Sequence, residues 1–230
     1  MSRVVVVTGG TRGIGRAVAE RFEAAGEQVV ALGRETCDVT DEAAVAAAFE
    51  RIGRVDVLVN NAGVSSSAPL ARTSLEDWRA QMDVNATGAF LCTRAVLPGM
   101  LERGSGRVVT VASTAGRAGA RYTAAYTASK HAAVGLMRAV AAELAGTGVT
   151  ANAVCPAFVR TDMTRRSVER IAAVTGRDEA AAETALASSS PLGRLLEPQE
   201  VAFAVAFLAA AEAGAINGQT LILDGGGIQT

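Results

Sequence analysis

The sequence predicts an α/β protein built on a doubly wound parallel sheet. Three observations carry that reading. Short β-branched runs alternate with stretches of helical periodicity along the chain. The first run, residues 4–8, breaks into a glycine cluster and then a helix, the opening of a right-handed crossover unit. Of 230 residues, 50% are apolar but only 4% aromatic, so the core consists of Ala, Val and Leu, which suits strands covered on both faces.

The elements follow in order. Residues 4–8 form a strand; residues 13–25 form a helix with Ile14, Val18 and Phe22 on one face, stopped by Gly26. Residues 28–32 form the second strand. Residues 41–52 are helical, with Thr40 or Asp41 as N-cap. A strand over 55–60 leads to Asn60-Asn61-Ala62-Gly63, and residues 75–102 hold one or two helices. Strand 107–113, a long helix over 123–146 and strand 150–155 come next, the last closed by Pro156. The alanine-rich, polar stretch 167–187 is helical, followed by helix 197–211 and strand 219–224. No repeat or linker divides the chain, so residues 1–230 are expected to be one domain.

Composition narrows the function classes. A net charge of −1 argues against a nucleic-acid or membrane partner. The apolar start, Val4 to Val7, is too short for a secretory leader, and no stretch is long enough to span a bilayer. Cys37, Cys92 and Cys155 are odd in number and scattered, as expected of reduced thiols in a cytoplasmic protein. One histidine, His131, and no clustered cysteines predict no metal site; at one residue past Lys130, His131 is turned about 100° round its helix and reads as a surface or packing residue.

The chemistry is carried by Tyr126 and Lys130, one turn apart on the long helix. An ammonium beside a phenol is expected to lower the tyrosine pKa from about 10 towards the range of a proton-transfer catalyst. With Thr8-Gly9-Gly10-Thr11-Arg12-Gly13-Ile14-Gly15 and Asn60-Asn61-Ala62-Gly63, this pair makes the chain, from Val4 to about Gly226, resemble the short-chain dehydrogenase/reductase family. The resemblance implies a single Rossmann-type domain and a catalytic set of Asn85, Ser113, Tyr126 and Lys130. Ser113 would polarise the substrate carbonyl and Tyr126 would pass the proton. Lys130 would hold the nicotinamide ribose, and Asn85 a water that relays protons to Lys130.

A cofactor cradle is implied by the same likeness. Gly9, Thr11, Gly13, Ile14 and Gly15 would meet the pyrophosphate at a helix N-terminus. Asp38 and Val39 would bracket the adenine; Asn61, Ala62 and Gly63 would touch the adenosine ribose; Pro156, Val159 and Thr161 would hold the nicotinamide amide. Tyr126 and Lys130 serve cofactor as well as substrate. Ala157 stands where the family has glycine. Gly33 replaces the acid that would hold a ribose 2′-hydroxyl, and Arg12 and Arg34 offer guanidiniums to a 2′-phosphate, so NADP(H) is expected, with NAD(H) the alternative. Between strands two and three the chain is short: the few residues from Leu32 to Asp38 cannot hold a crossover helix, so the edge strand is expected to be short or missing and the adenine end open.

Thr161-Asp162-Met163-Thr164-Arg165-Arg166 resembles the 3-oxoacyl-thioester reductases of that family. The likeness places a substrate lid over about 161–191, with Arg165 and Arg166 towards the phosphates of coenzyme A or an acidic acyl carrier protein. It implies an NADP(H)-dependent 3-oxoacyl/3-hydroxyacyl thioester oxidoreductase of fatty acid or polyketide metabolism. Two other readings stay open: a reductase of a free alcohol, sugar or polyketide ketone, and a non-catalytic NADP-binding regulator, which would be expected to have lost Ser113, Tyr126 or Lys130. A homotetramer is also implied, seamed by the small residues Ala86, Gly88, Ala89, Ala132, Ala133, Gly135 and Ala139.

Overall fold

A computed structural model describes residues 2–229. Six parallel strands lie in the order β2-β1-β3-β4-β5-β6. They are β1 (Val4–Thr8), β2 (Gln28–Leu32), β3 (Val57–Asn60), β4 (Gly106–Val111), β5 (Val149–Pro156) and β6 (Thr220–Leu223). The helices are α1 (Gly13–Ala24), α2 (Glu42–Ile52), α3 (Leu75–Met82), α4 (Gly88–Arg103), α5 (Ala124–Glu143), α6 (Asp162–Thr175), α7 (Glu179–Ala187) and α8 (Pro198–Ala209).

The period-two alternation of the strands feeds two cores. Val5, Val7, Val57, Val59 and Val109 pack on α1 and α8 through Val18, Phe22, Val201 and Val205. Val6, Leu58 and Val108 face the other way, onto Phe49 of α2, Cys92 and Met100 of α4, and Val134 and Met137 of α5. The expected face of α1 is real: Val18 and Phe22 are buried and Ile14 packs at the edge of the same core.

The short β2–α2 connection has the predicted result. Gly33 to Thr36 form a tight turn in which Thr36 and Cys37 donate to the Gly33 carbonyl. Cys37 and Val39 then dive into the core, and Asp41 caps α2 through the amides of Ala43 and Ala44. The crossover runs from β2 directly over β1 to β3, so among the described residues the sheet ends on β2. In a parallel pair alternate residues turn their amides outward; Gln28 and Leu32 bond towards β1 and its glycine loop, which leaves the backbone of Val29 and Ala31 facing away.

Two segments carry detail the sequence left open. Residues 75–102 are two helices joined by a π-turn over Asp83–Thr87 that carries Asn85; such turns insert a residue and often mark functional sites. The helical stretch expected over 167–187 is two helices and begins earlier. Thr161 caps α6, Gly176 ends it at φ +69°, and Asp178 caps α7.

Candidate active site

The site lies at the carboxyl ends of the strands, centred where chain order reverses between β1 and β3. The glycine loop after β1 is pinned to β3. Thr8 Oγ1 accepts from the amides of Asn61 and Ala62, and Asn61 Nδ2 donates to the carbonyls of Thr8 and Gly9, at 2.9 to 3.1 Å. Glycine is required there: a Cβ on Gly15 would sit 2.2 Å from the Gly9 carbonyl oxygen, and one on Gly9, at φ +61°, 2.9 Å from Ala62 Cα. Arg12, the N-cap of α1, makes no side-chain bond to the first amides, and the first turn holds no acid. These amides and the positive helix end fit a pyrophosphate. Ile14 packs at the edge of the core; Thr161 lies across the loop, its Cγ2 3.4 Å from where a Gly13 Cβ would be.

At the adenine end the placements are mixed. Thr11 packs beside Gly33. Arg34 is 89% exposed and bridges Asp38 at 3.4 Å. Asp38 accepts from the amide and hydroxyl of Thr40, which, with Arg34, hold its carboxyl below the usual range. Val39 is buried in the core, so its side chain is spent on packing. Towards the nicotinamide end, Pro156 and Val159 are buried, Val159 bridges to Leu196, and Thr164 Oγ1 donates to the Val159 carbonyl at 2.6 Å. Ala157 donates its amide to Leu223 O at 2.9 Å without a left-handed backbone, so the alanine is accommodated.

The four catalytic candidates converge. Ser113 Oγ accepts from the Ala115 amide at 3.1 Å and lies beside the Tyr126 phenol. Lys130, only 5% exposed, donates to Val111 O at 3.0 Å, with Nζ 5.8 Å from the Tyr126 ring centre. A Cβ on Gly63 would lie 3.2 Å from Asn85 Oδ1 and 3.5 Å from Lys130 Nζ, so these two groups flank one glycine. His131 is exposed, its Nδ1 against Thr127 O, as expected of a surface residue.

One expectation is corrected and two are narrowed. Lys130 does not lower the tyrosine pKa here: burial pushes the Tyr126 phenol up, offset in part by Ser113 beside it, and desolvation brings Lys130 itself down to about 8. The Asn85 amide is already engaged, Nδ2 donating to Val64 O and Ser129 Oγ and Oδ1 accepting from Val64 N, each at 2.9 Å. Asn85 therefore braces the loop after β3 against α5 with both Nδ2 hydrogens, while Oδ1 keeps one acceptor position. Arg165 pairs with Glu169 and Asp162 and lines a 440 Å³ cavity with Arg160, Thr161 and Glu183; Ser113 and Tyr126 are not among the residues lining it.

Sequence reasoning missed Thr8, which staples the glycine loop, and Ser129, which donates to the Tyr126 carbonyl at 2.8 Å while taking the Asn85 amide. Ser129 was detectable: it lies three residues past Tyr126, on the same helical face. Cys155 was hidden by its distance in sequence, yet its thiol is buried on β5 beside Ser113, and burial pushes its pKa up.

The comparisons agree with this geometry. A family model described as Enoyl-(Acyl carrier protein) reductase matches residues 33–227. The chain is 39% identical to a 3-oxoacyl-(acyl-carrier-protein) reductase of Synechocystis, over 98% of this chain and 96% of that one. That alignment runs to 252 positions against 230 residues here, so the relative carries segments this chain lacks. Among solved structures, a variant of the actinorhodin polyketide ketoreductase with NADPH superposes at TM-score 0.87, with 38% identity over 98% of this chain and 97% of that one. Ligand-free aldohexose dehydrogenase of Thermoplasma acidophilum superposes at 0.90, with 35% identity over 100% and 97%. Matched along nearly its whole length, with a glycine cradle at the switch point and Tyr126 and Lys130 one turn apart, the chain belongs to the short-chain dehydrogenase/reductase family of NAD(P)-dependent oxidoreductases.

Proposed function

We propose that the protein is an NADP(H)-dependent reductase of 3-oxoacyl thioesters. The observation that carries this is the convergence of Ser113, Tyr126 and a buried Lys130 at the mouth of the sheet, beside an open α1 N-terminus. When bound, the nicotinamide supplies the hydride. Ser113 and Tyr126 hold the carbonyl oxygen, and Tyr126, protonated at neutral pH because its pKa is raised, donates to that oxygen as charge develops. Lys130 holds the ribose hydroxyls. The relative named for 3-oxoacyl reduction supports the thioester. The test is NADPH consumption with acetoacetyl-CoA against simple ketones and sugars; efficient reduction of a sugar with every thioester ignored would sink this reading. The aldohexose dehydrogenase match favours that second reading, a free sugar or alcohol.

The cofactor choice is decided by competing charges. The exposed Arg34–Asp38 pair is worth about 0–1 kcal/mol, whereas a charge-assisted hydrogen bond to a 2′-phosphate is worth about 1.5–3 kcal/mol. Arg34 is therefore expected to leave Asp38 for the phosphate, joined by Arg12. NADPH should bind at least about tenfold more tightly than NADH, and Arg34→Ala should erase most of the difference. Equal affinities, unchanged by the substitution, would refute it.

A homotetramer is proposed on narrower grounds than the sequence offered. Gly88, Ala89 and Ala133 are buried within the chain, so they leave the seam. Gly135 and Ala139 remain exposed one turn apart on α5, with Phe90 exposed on α4. Light scattering should give four copies at micromolar concentration; a monomer there would remove the proposal. A cytoplasmic setting fits the three free, buried cysteines and the absence, among the described residues, of a helix long and apolar enough to cross a membrane.

A further inference from the structure

Tyr122 is the one non-glycine residue among those described with a left-handed backbone, at φ +68°. That conformation is costly for a residue with a Cβ, and the ring is 54% exposed, so burial does not offset it. The strained turn brings the Tyr122 carbonyl onto the Ala68 amide at 2.9 Å. Next to Ala68, the Ser67 carbonyl takes Nη1 of Arg170 at 2.7 Å. Segments that follow three neighbouring strands, β3, β4 and β5, are thereby laced into one collar at the carboxyl ends of the sheet, the end that carries Ser113 and Tyr126.

The collar is cationic. Arg121 stacks 5.3 Å from the Tyr122 ring centre and reaches its hydroxyl at 3.3 Å. Arg170 holds only a backbone carbonyl. Arg166, one turn earlier on the same face of α6, has no ion pair or hydrogen bond to any described residue. Among the described residues none of the three has a carboxylate partner, while Arg165 beside them has two. Contacts to a ring and to a carbonyl are easily exchanged for an anion, and guanidiniums match phosphate oxygens in pairs.

On the thioester reading above, the reacting carbonyl sits at Ser113 and Tyr126 and the rest of the substrate must leave through this mouth. A pantetheine arm is neutral along its length until its terminal phosphate. We propose that Arg121, Arg166 and Arg170, set by the strained Tyr122, form a collar that binds this phosphate, the group shared by coenzyme A and a carrier-protein arm.

The test compares acetoacetyl-CoA, acetoacetyl-phosphopantetheine and acetoacetyl-pantetheine on the wild type and on the combined Arg121→Ala, Arg166→Ala, Arg170→Ala variant. KM for the two phosphate-bearing esters should rise by about tenfold or more, with kcat kept within about twofold and the phosphate-free ester unaffected. An equal rise for all three esters, or none, would overturn the collar. A rise for the coenzyme A ester alone would show that the nucleotide phosphates are bound instead, and would also overturn it. The thioester reading fails separately, if the wild type reduces none of the esters. Calorimetry on the NADPH-loaded protein then decides: phosphopantetheine binding that the variant loses upholds the collar, and no binding to the wild type ends it. Tyr122→Gly should raise KM for the phosphorylated esters only, without lowering the melting temperature.

Discussion

Tyr126→Phe should reduce turnover by about two to four orders of magnitude, the range for losing a general acid, while leaving fold and cofactor binding intact. Removing the phenol oxygen costs at most one neutral hydrogen bond, about 1 kcal/mol net, too little to unfold the chain. The ring still packs, and the glycine cradle is held by Thr8 and Asn61, which the change does not touch. Titration of NADPH and a melting curve provide the controls. Near-normal turnover on an accepted substrate would show that another group supplies the proton. The raised phenol pKa also fixes a direction. Reduction needs the protonated phenol and should hold at neutral pH. Oxidation of the alcohol needs the phenolate and should climb as pH rises.

Local signals made much of this legible. Gly9, Gly13 and Gly15 after a β-branched run give the cradle because only glycine allows such close backbone approach. Tyr126 and Lys130 give the catalytic face because four residues make one helical turn. The missing edge strand followed from counting the residues between Leu32 and Asp38, too few for a crossover helix. The Thr161 and Asp178 caps with Gly176 between them would have revealed two lid helices had capping been weighed against the alanine content. What stayed hidden depends on burial and on partners distant in sequence. The direction of the Tyr126 shift is set by desolvation, which the i,i+4 spacing with Lys130 does not report. Adjacent Arg165 and Arg166 look alike in sequence, but a helix turns them about 100° apart, onto Glu169 and Asp162 in one case and onto no partner among the described residues in the other. Asn85 is engaged by Val64 and Ser129, 21 and 44 residues away.

Lys130→Met should cost turnover by at least about two orders of magnitude, the scale for losing a buried electrostatic group at the reacting centre, and should leave a signature in stability against pH. Burial lowers the Lys130 pKa to about 8 from an ordinary 10.5. Between those values the unfolded chain binds more protons than the folded one, so this residue makes wild-type stability rise with pH across that window. Below about pH 8 the full penalty of the buried ammonium applies, on the order of 3 kcal/mol from the size of the shift. Methionine carries no such penalty but leaves the Val111 carbonyl without its donor, a loss of about 1–3 kcal/mol that does not vary with pH. The two terms are similar at pH 7, so the sign of the difference there is not diagnostic; its slope is. Relative to wild type, the methionine variant should be most stable below pH 8 and lose that advantage steadily towards pH 10.5. The wild-type reduction rate should decline above about pH 8 as the ammonium discharges, and the residual rate of the variant should lack that limb. Parallel melting curves for the two proteins from pH 7 to 10.5 would show that Lys130 is neither buried nor titrating as the structure requires.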